Sequence, residues 1–389
     1  MVLFTLLAFA AIFDGKTLDG WVQLNGKANY KVENGVIVGA TAEGSPNSFL
    51  CTKKTYGDFI LEFDVLTDPA LNSGVQIRSH QYERDTEVLI ENNGLRKRQQ
   101  PAGRVHGYQV EISNSKSGNS GGVFDEGRRG WLAAPAAGSA CSQGFKDNQW
   151  NHYKIEAIAD RIRTWVNGAE CVDFRDPLDQ TGFIGLQVHS FQGDKSAQVR
   201  WRNLEIQELG VSAWKLLATE WNKVGGGDWQ QVDGAWKGTM KPEITERGFL
   251  VSGKSYSDFT IRLKYKVLRG NSGFFFRMGD LNSTEPNRMG YEVEVDPTRD
   301  AGGLQEPGAQ ARKWLVHPDP ERVKLFYKPD DWNEMVVSAH KNRIFVHVNG
   351  RKMSEASNDP GRPEGRFALQ LNPKQNLEVF FKDFELLTR

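Results

Sequence analysis

Cysteine is scarce in this sequence: Cys51, Cys141 and Cys171 are the three among 389 residues. None stands in a Cys-x-x-Cys pair, so a zinc ribbon and a disulfide scaffold are both excluded, and at most one disulfide can form. Net charge is missing as well, because 49 Lys and Arg balance 49 Asp and Glu. A chain without a basic excess has no electrostatic footprint for nucleic acid and no polybasic patch for a membrane surface. No apolar run reaches the roughly 20 residues that cross a bilayer, so no membrane span is expected. No long segment repeats with a 3.6-residue period, and there is no His-Glu-x-x-His, no nucleophile elbow and no glycine loop ahead of a helix.

The opening residues stand apart. Met1 to Ala11, MVLFTLLAFAA, is apolar and ends in a small-x-small triplet, Ala8-Phe9-Ala10. Residues 1–11 therefore read as a truncated signal peptide, with export to the periplasm, cell surface or exterior as the expectation. A buried first strand is the alternative, since Ile12-Phe13 continues the run.

Glycine (40), phenylalanine (22) and tryptophan (11) are plentiful, and the chain repeats itself. Thr55-Tyr-Gly-Asp-Phe59 recurs as Ser255-Tyr-Ser-Asp-Phe259, Asn72-Ser-Gly74 as Asn271-Ser-Gly273, and Gly107-Tyr-Gln-Val-Glu111 as Gly290-Tyr-Glu-Val-Glu294. Val166-Asn-Gly168 recurs as Val348-Asn-Gly350. The one large length difference is the stretch Gln81 to Arg104, which the shorter Gly279 to Met289 replaces. Two homologous domains follow, 12–209 and 214–389. Within each, short segments such as Phe59 to Val65 and Phe183 to Val188 alternate apolar with polar and are separated by turn residues. Asn34-Gly35 and Asn167-Gly168 suit two-residue hairpins. The expected fold is all-β, two tandem β-sandwiches of jelly-roll type.

Strand parity selects candidate site residues, because residues i and i+2 share a face. Val75 and Ile77 turn inward, leaving Gln76 and Arg78 outward; Gln109 and Glu111, and Gln187 and His189, are the outward pairs of two other strands. If these strands are neighbours, one sheet carries a stripe of amides, guanidinium, carboxylate and imidazole suited to sugar hydroxyls and carbonyls. An ordinary solvated outer face is the competing reading. The second copy keeps part of the stripe as Phe275 and Arg277, Glu292 and Glu294, and Gln370 and Asn372. After Glu111 comes a loop in which Asp125, Glu126, Arg128 and Arg129 crowd beside Trp131. These residues are candidates for substrate binding, with an Arg–carboxylate brace as the alternative. Glu292, Glu294 and Asp296 share a face at about 6.6 Å per two residues, near the roughly 5–5.5 Å of retaining glycosidases, but the first copy has Ser113 where that pattern needs an acid.

Phe13-Asp-Gly-Lys-Thr-Leu-Asp-Gly-Trp21, Asn72-Ser-Gly74, Gly107 to Glu111, Gly121-Gly-Val-Phe-Asp-Glu126 and Trp165-Val-Asn-Gly168 together resemble the 3-keto-disaccharide hydrolase domain family. The resemblance covers 12–209 closely and 214–389 as a diverged second copy in which Trp221 matches Trp21. It implies a concanavalin A-like lectin/glucanase jelly roll, export, and cleavage of glycosides already oxidised at C3. A C3 ketone acidifies the C2 proton, so one base can start an elimination that expels the C1 oxygen, and water addition completes a net hydrolysis. Glu111 or His189 could be base or acid, and Arg78 the partner of the ketone. A divalent metal on Glu111 and His189 would serve as electrophile equally well. Three readings stay open: a 3-keto glycoside-cleaving enzyme with a catalytic first domain, a non-catalytic lectin-like tandem module, and a two-carboxylate glycosidase.

Overall fold

The computed structural model describes residues 8–91, 94–193, 196–282, 288–307 and 314–389. Most of the apolar opening, residues 1–7, and the segment 308–313 of the second-copy loop lie outside the described residues. The chain divides into two compact units, Met1–Ala213 with Arg389, and Trp214–Thr388. Each is a concanavalin A-like jelly-roll sandwich of two largely antiparallel sheets. A single seven-residue helix, Pro320–Phe326, is described, and no described helix is long and apolar enough to cross a membrane.

In the first unit one sheet runs Ala169–Arg175, Arg161–Val166, Asn151–Ile158, Asp58–Thr67, Gln198–Gly210, Val36–Ala40, Asn29–Glu33. The other runs Trp21–Leu24, Ser48–Thr52, Phe183–Val188, Ser73–Gln81, Val105–Ile112, Val123–Glu126, Gly130–Ala133, Thr86–Glu91, Leu95–Gln100. The alternation in the sequence decides which faces meet. Phe59, Leu61, Phe63 and Val65 project from one sheet onto Val75, Ile77, Tyr108, Val110 and Leu186 of the other, all of them excluded from solvent. Asn34 and Asn167 adopt positive φ ahead of Gly35 and Gly168, as hairpin turns between right-twisted strands require. Ala10–Ala11 pairs with Gln198–Gly210, so the end of the apolar opening lies against the sandwich as a short strand. Cys141 and Cys171 are joined by a disulfide and Cys51 is free and buried.

The second unit repeats this plan. Its second sheet runs Trp221–Gly225, Gly248–Tyr256, Gly365–Leu371, Ser272–Met278, Tyr291–Val295, Leu304–Gln305, Trp314–Val316. That order matches the first copy strand for strand until the paired strands Thr86–Glu91 and Leu95–Gln100.

Candidate functional site

Cross-strand partners lie on the same face of a sheet. In the first copy the register aligns Gly185, Gln76, Gln109 and Phe124 in one row, with Glu111 opposite Gly74 in the next. Their alternate neighbours fill the core, so this row points away from it. The three glutamines form one hydrogen-bonded chain. Gln76 Nε2 and Gln187 Nε2 each donate to Gln109 Oε1 at 2.7 Å, and Gln109 Nε2 donates to Glu111 Oε2 at 3.2 Å. Asn72 Nδ2 donates to the other carboxyl oxygen, Oε1. Because Gln109 Oε1 already accepts twice, its amide has one orientation, with the donor aimed at Glu111. A Cβ at Gly74 would stand 2.5 Å from the Gln109 side chain, so the strand needs glycine there for the amide to lie flat.

Parity alone places this stripe on a wetted surface. The structure buries it instead: Gln76 and Gln187 are fully covered and Glu111 is 7% exposed. Burial pushes the Glu111 carboxyl up to about 7, a rise reinforced by the charge of Glu126 and partly offset by the Asn72 and Gln109 hydrogen bonds. A cleft of about 580 Å³ opens nearby, with Phe124, Glu126, Asn47, His189 and Arg104 in its lining. Asn47 ties two sides together, accepting from Ser190 N at 2.9 Å and donating to Glu126 Oε1 at 3.4 Å. Arg104 Nη2 pairs with Glu126, while its Nη1 is buried without a hydrogen-bond partner among the described residues.

Several candidates from the sequence sit elsewhere. Arg78 does not share a face with Gln76. It has positive φ in a bulge where Arg78 and Ser79 stand opposite the single Gly107, and this reverses its direction. Its guanidinium is completely buried, bonded to Asp58 at 2.9 Å and to the carbonyls of Gly57, Ala159 and Asp179. It is a brace and has no route to a ligand. Asp125, Arg128 and Arg129 are also a brace. Asp125 is fully buried and pairs with both arginines, which reach on to Asp179 and Asp176. Glu126, one residue on, turns to the opposite face and into the cleft. Trp131 stands opposite Phe124, edge to face at 5.4 Å, and backs it.

His189 reaches the cleft, but its Nδ1 lies 2.8 Å from Ser190 O, and no contact with Glu111 is recorded among the described residues. Both oxygens of Glu111 already accept N–H donors, and among the described residues no three His, Cys, Asp or Glu side chains gather as a metal site. The donor set does not fit a divalent ion held by Glu111 and His189.

In the second copy Arg277 repeats the bulge, with positive φ, bonds to the carbonyls of Ser257 and Arg362, and Asp258 at 3.7 Å. Glu294 repeats Glu111: Asn271 and Gln305 donate to it, and burial raises its carboxyl to about 7. Glu292 lies across from Phe275, which packs with Phe249, Val251, Met278 and Ala368 in an apolar patch. Asp296 accepts from Thr298 and from the backbone of Arg299 and Asp300, holding its own loop. That occupation weighs against its serving as the second acid of a glycosidase.

Parity reasoning missed Asn72, Asn47, Arg104 and Phe124. Asn72 left a signal, since Asn-Ser-Gly recurs in both copies. Arg104 left none, because it closes a segment whose counterpart in the second copy is much shorter.

The profile of the family described as 3-keto-alpha-glucoside-1,2-lyase-like domain matches residues 8–207 and again 212–387. No curated protein matches the chain significantly. Among solved structures, a candidate glycosyl hydrolase from Parabacteroides distasonis is similar at 18% identity, over 52% of this chain and 94% of its own, with a TM-score of 0.35. The carbohydrate-binding module CBM66 from Bacillus subtilis is similar at 19% identity, over 43% and 95%, with a TM-score of 0.34. A Bacillus subtilis protein of unknown function with a galectin-like fold is similar at 12% identity, over 45% and 98%, with a TM-score of 0.29.

Proposed function

Because the chain belongs, through both of its copies, to the 3-keto-α-glucoside-1,2-lyase-like domain family, and so to carbohydrate-directed proteins, we propose that its first copy cleaves 3-keto glycosides by elimination across C1 and C2. The observation that carries this reading is Glu111: a buried carboxyl raised to about 7 and oriented by two amides. A base is most effective when its pKa lies near the working pH.

Glu111 removes the C2 proton, and the electrons of that bond pass into an enolate whose charge sits on the C3 oxygen. Arg104, which lines the cleft and whose Nη1 has no hydrogen-bond partner among the described residues, replaces Arg78 as the cation for that oxygen. As the C3 carbonyl re-forms, the C1–O bond breaks with its electron pair on the departing oxygen, leaving a C1=C2 double bond. The departing oxygen takes the proton held by Glu111. Water adding across C1=C2 then gives the 3-keto sugar, a net hydrolysis.

The second copy reads as a supporting or sugar-binding domain, because Phe275 stands where Gln76 does and Glu292 where Gln109 does, so that of the glutamine chain Gln370 alone is kept. Export is proposed as well, since a disulfide persists in oxidising compartments.

The test is incubation of the full chain with a 3-keto glucoside and with its unoxidised parent, each with and without chelator, following enone absorbance and aglycone release. Turnover of the keto form alone is expected. Binding without turnover would favour the lectin reading, and turnover of the parent an ordinary glycosidase.

A further inference from the structure

We infer that the substrate of the first copy carries an anionic substituent, a carboxylate or a sulfate, held by Arg96 and Arg98 on the hairpin whose strands are Thr86–Glu91 and Leu95–Gln100; this rests on the reading of the cleft as the site of sugar cleavage. The hairpin is the one large segment that the first copy has and the second lacks. It is fastened to the site from both ends. Gly130 pairs with Glu91, Glu91 N donates to Arg129 O at 2.8 Å, and Gln100 Nε2 donates to Gly127 O at 2.8 Å.

The two faces of the hairpin differ in how they handle charge. Lys97 is neutralised by Glu87 at 2.9 Å. Arg96 and Arg98 stand opposite Ile90 and Val88, which are buried, and both arginines line the cleft. Their alkyl stems can lie along that apolar surface with the guanidinium groups over the opening. Neither has a carboxylate partner among the described residues. The carboxylates of the cleft wall are already taken, Glu126 by Arg104 and Asp125 by Arg128 and Arg129. Among the described residues the cleft therefore carries two guanidinium groups without a carboxylate partner, in a wall it shares with Phe124, the cross-strand neighbour of Gln109. Guanidinium forks fit carboxylate and sulfate oxygens in pairs. Unpaired cations also serve edge strands by discouraging sheet-to-sheet association, and Leu95–Gln100 is an edge strand, so the experiment must separate the two roles.

Titration calorimetry on the full chain would compare phenyl glucoside, 4-carboxyphenyl glucoside and 4-sulfatophenyl glucoside, none oxidised at C3, so that binding is read without turnover. The charged glucosides are expected to bind at least tenfold more tightly than the neutral one. In the double variant Arg96→Ala/Arg98→Ala that preference should vanish, while affinity for phenyl glucoside, turnover of 3-keto phenyl glucoside and melting temperature stay unchanged. Either anion showing the effect supports the inference, and the tighter one names the substituent. Equal affinities in the unmodified protein, a preference that survives in the variant, or no binding of any of the three would overturn it. Absence of turnover on the neutral keto substrate would refute the elimination reading and leave a measured anion preference standing.

Discussion

The two copies put the same carboxyl in the same place and surround it differently. Glu111 and Glu294 occupy equivalent strands, each takes a hydrogen bond from the asparagine of an Asn-Ser-Gly turn, and burial raises each to about 7. Around Glu111 lie three linked glutamines, and Phe124, across from Gln109, lines the neighbouring cleft; around Glu294 lie Glu292, Gln305 and an apolar patch built on Phe275. A perturbed carboxyl is therefore a property of the fold at this position. What distinguishes a candidate catalytic site is the polar chain and the space beside it.

Substituting the two glutamates tests that distinction most severely. Glu111→Gln should lower kcat on a 3-keto glucoside by about 10²–10⁴-fold, the usual contribution of a positioned base, whereas Glu294→Gln should leave it within about twofold. Single-turnover rates on the full chain decide the matter; equal losses would mean that the copies share the work.

Arg78 and Arg277 give the next contrast, this time in stability. Arg78→Ala takes the guanidinium from a fully buried Asp58 and leaves it Ala159 N and Ser212 Oγ as donors, so the loss should be about 3 kcal/mol, the low end for a broken buried pair. Arg277→Ala should cost less, about 1–3 kcal/mol for lost hydrogen bonds, because Asp258 is about half exposed. Calorimetry that resolves the two unfolding transitions reads each separately.

A smaller difference comes from the disulfide. Where the first copy joins Cys141 to Cys171, the register of the flanking strands puts Val323 and Met353 in the second, both buried in its core. Loop-closure entropy for a separation of 30 residues predicts about 3.6 kcal/mol for the covalent link. Reduction should lower only the transition of the first copy.

The pH dependence should give the smallest separation, and activity and stability should move in opposite directions. Below about pH 7 the base is protonated, so kcat/KM should fall about tenfold per unit. Stability runs the other way. Between 4.5 and about 7 the native carboxyl keeps a proton that the unfolded chain has shed, so unfolding releases protons and stability drops as pH rises, by about 3 kcal/mol per carboxyl. Glu111→Gln should remove that slope from the first copy alone, making it more stable than the parent at pH 8. A pH series of melting curves on both proteins checks the sign.

Most of the fold was legible because alternation with Asn-Gly turns states both strand and hairpin, and because the repeat supplied the domain plan. The glutamine chain was legible for the same reason: parity holds along an unbroken strand. It failed at Arg78, where one residue inserted opposite Gly107 reverses the faces. A clue was present, since Arg78 and Gly107 recur as Arg277 and Gly290 although the neighbours of the arginine change from Ile77 and Ser79 to Phe276 and Met278. Retention of that pair marks a shared backbone device. Asp125, Arg128 and Arg129 were legible only as a charge cluster, because which of two faces a short loop strand presents depends on contacts distant in sequence. Burial of Glu111 was illegible too, because its covering comes from elements that no local pattern connects to it.

Gly74 and Gly273 are vacancies in a crowded surface, and each vacancy is filled by a different tenant. A methyl group added at Gly74 would meet the Gln109 side chain at 2.5 Å, while the same group at Gly273 would meet Glu292 Oε1 at 2.2 Å. One identical alteration thus has two meanings: in the first copy it evicts the amide that orients Glu111, and in the second it displaces a neighbouring acid. A residue that never touches a ligand can in this way govern the aim of one that does, and sequence drift at these two small positions would retune the copies independently.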